Sequence, residues 1–199
     1  MQTEEISYLP TLEVQLLMYD VAFITGSFNP PHLGHAKLFD YVVRNLALRL
    51  QVYPHSRNLQ KNGRLIPFED RVEMLKALIS EANLTDVVII QEIEQGVPIE
   101  STAYDEFLGS LSPTKNIIRV VGHDVYKKDY ERYGNPFCDL AIHTRGYPEI
   151  TQLKDGCISI PTLSVISSSQ VLSAPLDEYP LLVGQSVSQY IFNNNVGLK

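Results

Sequence analysis

YDVAFITGSFNPPHLGHAKLFDYVV, residues 19–43, decides the fold of this chain. Residues 19–25 are rich in β-formers and read as a buried first strand. A loop of glycine, asparagine and two prolines follows. Leu38, Phe39, Val42, Val43 and Leu46 then recur at helical spacing, which predicts an amphipathic helix over 35–50. Strand, tight loop and helix make the opening unit of an α/β domain.

The same alternation continues along the chain. LQVY (50–53) predicts a second strand, and 53–67 a loop. FEDRVEMLKALISEAN (68–83) places Phe68, Val72, Leu75 and Ile79 on one helical face. Pro67 stands in its first turn, and Glu69 and Asp70 complement its dipole. Strands are predicted over 86–93, 116–124, 139–144 and 157–163, and helices over 101–111, 125–133 and 187–195. ISSSQVL (166–172) reads as a strand-to-helix junction. Strands that alternate with helices imply one doubly wound, parallel α/β sheet over 19–199, preceded by an extension over 1–18. Ligands of such sheets bind beyond the carboxyl ends of the strands, in the loops where most of the polar residues fall.

Composition limits the partners. Lys and Arg number 16 against 23 Asp and Glu, a net charge of −7. That balance argues against nucleic acid or an anionic membrane as the main partner, but leaves a small anionic ligand open. No apolar run approaches the roughly 18 residues of a membrane span. Cys138 and Cys157 form no CxxC pair, and no signal-peptide pattern precedes them. Both read as reduced thiols of a cytoplasmic protein. The sequence leaves homo-oligomer formation open.

The loop itself admits three chemistries. His32 and His35 suit a metal, but no third ligand is adjacent, so metal ligation is not expected. They also suit a cap on the helix. Finally, Gly26 allows a sharp turn and Gly34 keeps the helix entrance uncrowded. A helix starting near Leu33 would then offer N–H groups and a positive dipole end to a phosphate, with both imidazoles as added donors.

GSFNPPHLGH (26–35) resembles the signature of the HxGH nucleotidylyltransferases, and within them that of the nicotinate and nicotinamide mononucleotide adenylyltransferases. The resemblance implies a Rossmann-like fold and transfer of AMP from ATP to a pyridine mononucleotide. Pyrophosphate is released, and Mg²⁺ is carried by the ATP phosphates. It assigns His32 and His35 to the ATP phosphates as catalytic donors, and the turn at Gly26, Ser27 and Phe28, with Gly34, to the nucleotide. VGHD (121–124) is similar to the family's GxD element, which puts Gly122 and Asp124 at the ATP ribose. ISSSQV (166–171) resembles its ISSTxI signature, which adds Ser167, Ser168 and Ser169. KNGRLIPFEDRVEML (61–75) resembles its basic loop and arginine-containing helix, and HTRGY (143–147) its RPGY-type segment. Lys61, Arg64 and Arg145 become substrate residues on that basis. STAYDEF (101–107) is similar to the segment that meets the pyridine substituent, and contributes Thr102.

This sequence departs from the pattern in two places. Leu172 stands where the family carries a basic residue, and Lys61, Arg64, Lys127, Lys128 and Arg145 are the cations available to compensate. The family's tryptophan after GxD is absent, and Tyr130 or Tyr133 supplies the stacking face expected there. The alternatives are pantetheine-phosphate adenylyltransferase, whose signature also reads ISSS, and a nucleotide-binding sensor that has lost turnover.

Overall fold

The computed structural model describes residues 17–55, 65–91, 116–131, 138–144, 146–147 and 153–197. Six strands form one parallel sheet: β1 (Tyr19–Gly26), β2 (Ala47–Pro54), β3 (Val88–Ile90), β4 (Ile117–Gly122), β5 (Asp139–His143) and β6 (Cys157–Ile160). Their order is β3-β2-β1-β4-β5-β6. The direction of winding reverses between β1 and β4, and a crevice opens there in such sheets. The β1–β4 pairing runs from Val21↔Ile117 to Ile24↔Val120, so the two strands finish side by side. β1 ends at Gly26 and β4 at Gly122.

Two helices cover one face, α1 (Leu33–Asn45) and α2 (Phe68–Glu81). Phe39, Val42, Leu50, Leu75 and Ile118 meet there, fully buried. Burying each such side chain stabilises the fold by roughly 1.5–3 kcal/mol. The other face carries α3, a helical turn His123–Val125 continued by a π-helical turn Tyr126–Tyr130. It packs Tyr126 and Tyr130 against Val121, Leu140 and Ile142. The chain then closes through α4 (Ser168–Ser173), α5 (Tyr179–Val183) and α6 (Gln185–Asn193). These form a second layer behind α2, where Met74 and Leu78 meet Val171, Tyr179, Val183 and Val187.

Several sequence-based boundaries need correction: the strand predicted over 116–124 ends at Gly122, where a helical turn begins, and that predicted over 157–163 ends at Ile160. The helix predicted over 35–50 runs over Leu33–Asn45, and residues 47–50 belong to β2. Leu46, Ala47, Leu48 and Leu50 are good helix formers, but pairing of Ala47 with Tyr19 and of Leu50 with Ala22 overrides that local preference. The strand predicted over 86–93 is regular only at Val88–Ile90. The closing helix begins at Gln185, and the short helix α5 before it was not expected. The helix predicted over 101–111 lies outside the described residues. Among the described residues no helix is long and apolar enough to cross a membrane.

Candidate active site

The β1–α1 loop is tied down residue by residue. Phe28 adopts a left-handed backbone, φ 45°, and the Asn29–Pro30 peptide is cis. The Phe28 ring folds over Gly26, where a Cβ would stand 3.2 Å from it. It also meets the edge of His35 at 5.0 Å and of Phe39 at 6.2 Å between centroids. The Ser27 carbonyl accepts from Arg71 Nη1 at 2.6 Å, and Asn29 Oδ1 accepts the Ile66 N–H at 2.8 Å. The Pro30 carbonyl accepts from Ser168 Oγ at 3.0 Å, which joins this loop to the start of α4.

α1 opens on the histidine pair. His32 is the N-cap, and His35 Nδ1 accepts the His32 backbone N–H at 3.1 Å. The rings lie 3.7 Å apart between centroids. An accepting Nδ1 leaves the ring proton of neutral His35 on Nε2, so that edge is a donor. Capping through Nδ1 is therefore compatible with a donor role for the other edge of the same ring. The N–H groups of the first helical turn and the dipole favour an anion at the same end. Gly34 is required here, since a Cβ would fall 2.9 Å from His32 Nδ1 and 3.2 Å from Ser164 Oγ.

Beside this helix end lies a cavity of about 390 Å³. Gly122, His123 and Asp124 form one wall, His143, Gly146 and Tyr147 a second, and Val165, Ser167 and Gln170 a third. Its volume falls within the range of small-molecule sites. The His123 and Tyr147 rings stack at 4.7 Å, 17° from parallel, and give the rim a flat aromatic face. Asp124 folds back so closely over Gly122 that a Cβ there would stand 2.6 Å from its Oδ1. Ser167 caps α4: its Oγ accepts the Gln170 N–H at 3.3 Å, and Gln170 Oε1 accepts the Ser167 N–H at 2.7 Å.

The sequence-derived residues thus divide into groups. Gly122, Asp124 and Ser167 line the cavity. Gly26, Ser27, Phe28, His32, Gly34 and His35 form the adjoining loop and helix end, with Ser168 as the link. Ser169 is exposed on the first turn of α4. Lys61, Arg64, Thr102 and Arg145 lie outside the described residues, as does Tyr133. Tyr130 needs correction as a stacking face. It is buried in the α3 core, hydrogen-bonded to Arg119 and under its guanidinium, so its ring is spent on packing. Of the compensating cations, Lys127 is ion-paired with Glu131 on the exposed side of α3, and Lys128 is exposed.

Three contributors were not anticipated from sequence. His143 and Gln170 line the cavity, and His55 sits just past β2 with its N–H on the Gly26 carbonyl at 2.9 Å. Burial, then the neighbouring Arg119 and Arg71, hold its imidazole down at about 4. Arg71, the arginine of the helix that the resemblance pointed to, is fully buried in α2. Position at the carboxyl end of a strand is the signal that points to His55 and His143.

A parallel sheet with a winding reversal, a histidine-bearing helix end beside it and a polar cavity at the same edge define a nucleotide-binding α/β protein. The cytidylyltransferase-like family matches residues 23–172, and the chain belongs to that family of nucleotidyltransferases. Its relatives include the protein of Leptospira interrogans named probable nicotinate-nucleotide adenylyltransferase. That one is 22% identical over 185 residues, covering 86% of this chain and 93% of the relative. The protein of the same name from Chlorobium phaeovibrioides is 25% identical over 179 residues, covering 86% and 91%. Among solved structures, the fold is similar to that of Plasmodium falciparum nicotinic acid mononucleotide adenylyltransferase complexed with NaAD. The TM-score is 0.70 at 17% identity, over 91% of this chain and 100% of that one.

Proposed function

We propose that this enzyme joins the AMP moiety of ATP to nicotinate mononucleotide and releases pyrophosphate. The observation that carries the reading is the His32–His35 pair, held by its own capping contact at the N-terminus of α1 beside the Gly122–Asp124 and Ser167 cavity. The names of the relatives support nicotinate over nicotinamide.

In this reading a 5′-phosphate oxygen of the mononucleotide attacks the α-phosphorus of ATP, and the bond to the bridging oxygen of pyrophosphate breaks. The nucleophile is already an anion, so no strong base is needed. The chain contributes position and charge stabilisation. His35 Nε2–H, His32 and the α1 N-terminus receive the phosphates, and Gly122 and Asp124 take the ribose. Ser167 and Ser168 present the start of α4. These donors fit phosphate oxygens. Among the described residues no three His, Cys, Asp or Glu side chains converge on a metal position. Magnesium fits as an ion that enters on the triphosphate and neutralises its charge, since it keeps most of its ligands as water and phosphate.

The deciding assay measures pyrophosphate release from ATP with nicotinate mononucleotide, nicotinamide mononucleotide and phosphopantetheine side by side. Release is expected with nicotinate mononucleotide first. Release only with phosphopantetheine replaces the substrate. Calorimetric ATP binding without release under any acceptor favours the sensor, which the uncharged, half-buried Leu172 supports.

A further inference from the structure

We infer that Arg71 is a positioning residue that holds the β1–α1 loop in its phosphate-receiving shape; its effect on turnover rests on the proposed adenylyl transfer. Arg71 stands in the second turn of α2, and its side chain runs back toward the start of that helix, as helical side chains do. Its Nε donates to the Ile66 carbonyl at 2.9 Å and its Nη1 to the Ser27 carbonyl at 2.6 Å. The Ile66 N–H meanwhile reaches Asn29 Oδ1 at 2.8 Å. One residue, Ile66, is thereby held at both its N–H and its carbonyl, and the loop residues on either side of Phe28 are pinned.

That pinning bears on the chemistry. Phe28 is a bulky residue in the left-handed region, which is costly and persists only where the surroundings impose it. Its ring is the neighbour of His35. A relaxed Ser27 would let Phe28 return to ordinary backbone angles and remove the wall against which His35 stands. The guanidinium is fully buried; its hydrogen bonds go to carbonyls, the Phe68 ring lies 5.5 Å away, and the Glu69 carboxylate near the start of α2 favours its charge without offsetting the burial. Burying a charge whose hydrogen bonds all go to neutral carbonyls is expensive, and apolar residues often fill such positions at lower cost. The planar fork reaches two carbonyls in fixed directions at once, which an ammonium does not.

The test compares Arg71→Ala and Arg71→Lys with the wild type, in two readouts. Hydrogen exchange over peptides spanning 24–36 should rise in Arg71→Ala while 139–143 keeps its protection. A uniform rise, or no rise, overturns the clamp. In turnover, kcat should fall about 10²-fold, more than KM for ATP changes, because misplaced donors act on the transition state. Guanidinium ion added at sub-denaturing concentration should restore part of kcat in Arg71→Ala, and Arg71→Lys should recover less. No recovery, or a loss of kcat matched by loss of folded protein, overturns the inference. Should Arg71→Ala not fold, the exchange comparison is made on Arg71→Lys, with the same two outcomes. The exchange measurement needs no turnover. A wild-type protein that releases no pyrophosphate counts against adenylyl transfer alone, and an unselective exchange pattern counts against Arg71.

Discussion

His35 has two ring nitrogens with separate duties, and a substitution separates them. Nδ1 closes the cap on His32, and Nε2 is the edge that donates to phosphate in the proposed reading. His35→Ala should therefore lose about 1 kcal/mol of cap stability and about 10²–10³ in kcat, the usual effect of removing one oxyanion-type donor. Thermal unfolding and pyrophosphate release read the two losses apart; near-normal turnover in a folded variant ends the mechanism. Gly34→Ala is the sharper case. Alanine favours a helix over glycine by about 1 kcal/mol, but its Cβ must displace His32 from 2.9 Å contact. Turnover should fall with no drop in melting temperature, and a variant as active as wild type shows that His32 need not be held. The histidines and glycines of this end were legible in the sequence because the motif is local and continuous. Arg71 was visible as a helix residue, but its burial and its bond to Ser27, 44 positions away, are products of tertiary packing.

At the scale of elements, the closing helix α6 depends on a cap from another helix. Glu81, the last residue of α2, accepts the N–H of Gln185 at 3.0 Å and of Ser186 at 2.7 Å. Gly184 turns the chain into this cap with φ 90°, and a Cβ there would stand 3.0 Å from the Glu81 carboxylate. Tyr190 ties the far end of α6 to Asp70 at 2.9 Å. Glu81→Ala should cost about 1 kcal/mol, the worth of a lost N-cap. Gly184→Ala should cost about 1–2 kcal/mol, because an L-residue resists that φ. Urea unfolding measures both, and the two losses should not add, since each breaks the same cap. The α6 pattern is legible in sequence through its apolar spacing, but its cap is not: Glu81 reads as an ordinary solvent-facing residue until the fold brings it to Gln185. The early end of α1 has the same origin, with pairing to β1 deciding where β2 begins.

For the molecule as a whole, alternation of strands and helices was enough to give the parallel α/β class. The order of strands was not, because it depends on which edge each long connection returns to. That order sets the ends of β1 and β4 side by side and brings Gly26 and Gly122, 96 positions apart, to one crevice. It also places the His55 imidazole close to Arg71 and Arg119, a neighbourhood no local pattern announces, and that neighbourhood makes stability depend on pH. In the unfolded chain His55 titrates near ~6.5; in the fold, burial and then the two arginines hold it at about 4. As pH falls through this interval the unfolded chain takes up the proton first, so stability is full above about 6.5 and is lost toward 4. The loss is at most about 3 kcal/mol. Glu81 adds a second, lower window. Burial raises its carboxyl, but the N–H bonds from Ser186 and Gln185 outweigh that and hold it below its ordinary value. Its contribution is present above the carboxylate range, about 4.3, and disappears as pH falls further. Urea midpoints measured from neutral to acid pH should therefore decline in two stages. His55→Gln should flatten the upper stage and leave the lower one, and Glu81→Gln should do the reverse. Equal slopes in wild type and His55→Gln between pH ~6.5 and ~5 exclude His55 as the source.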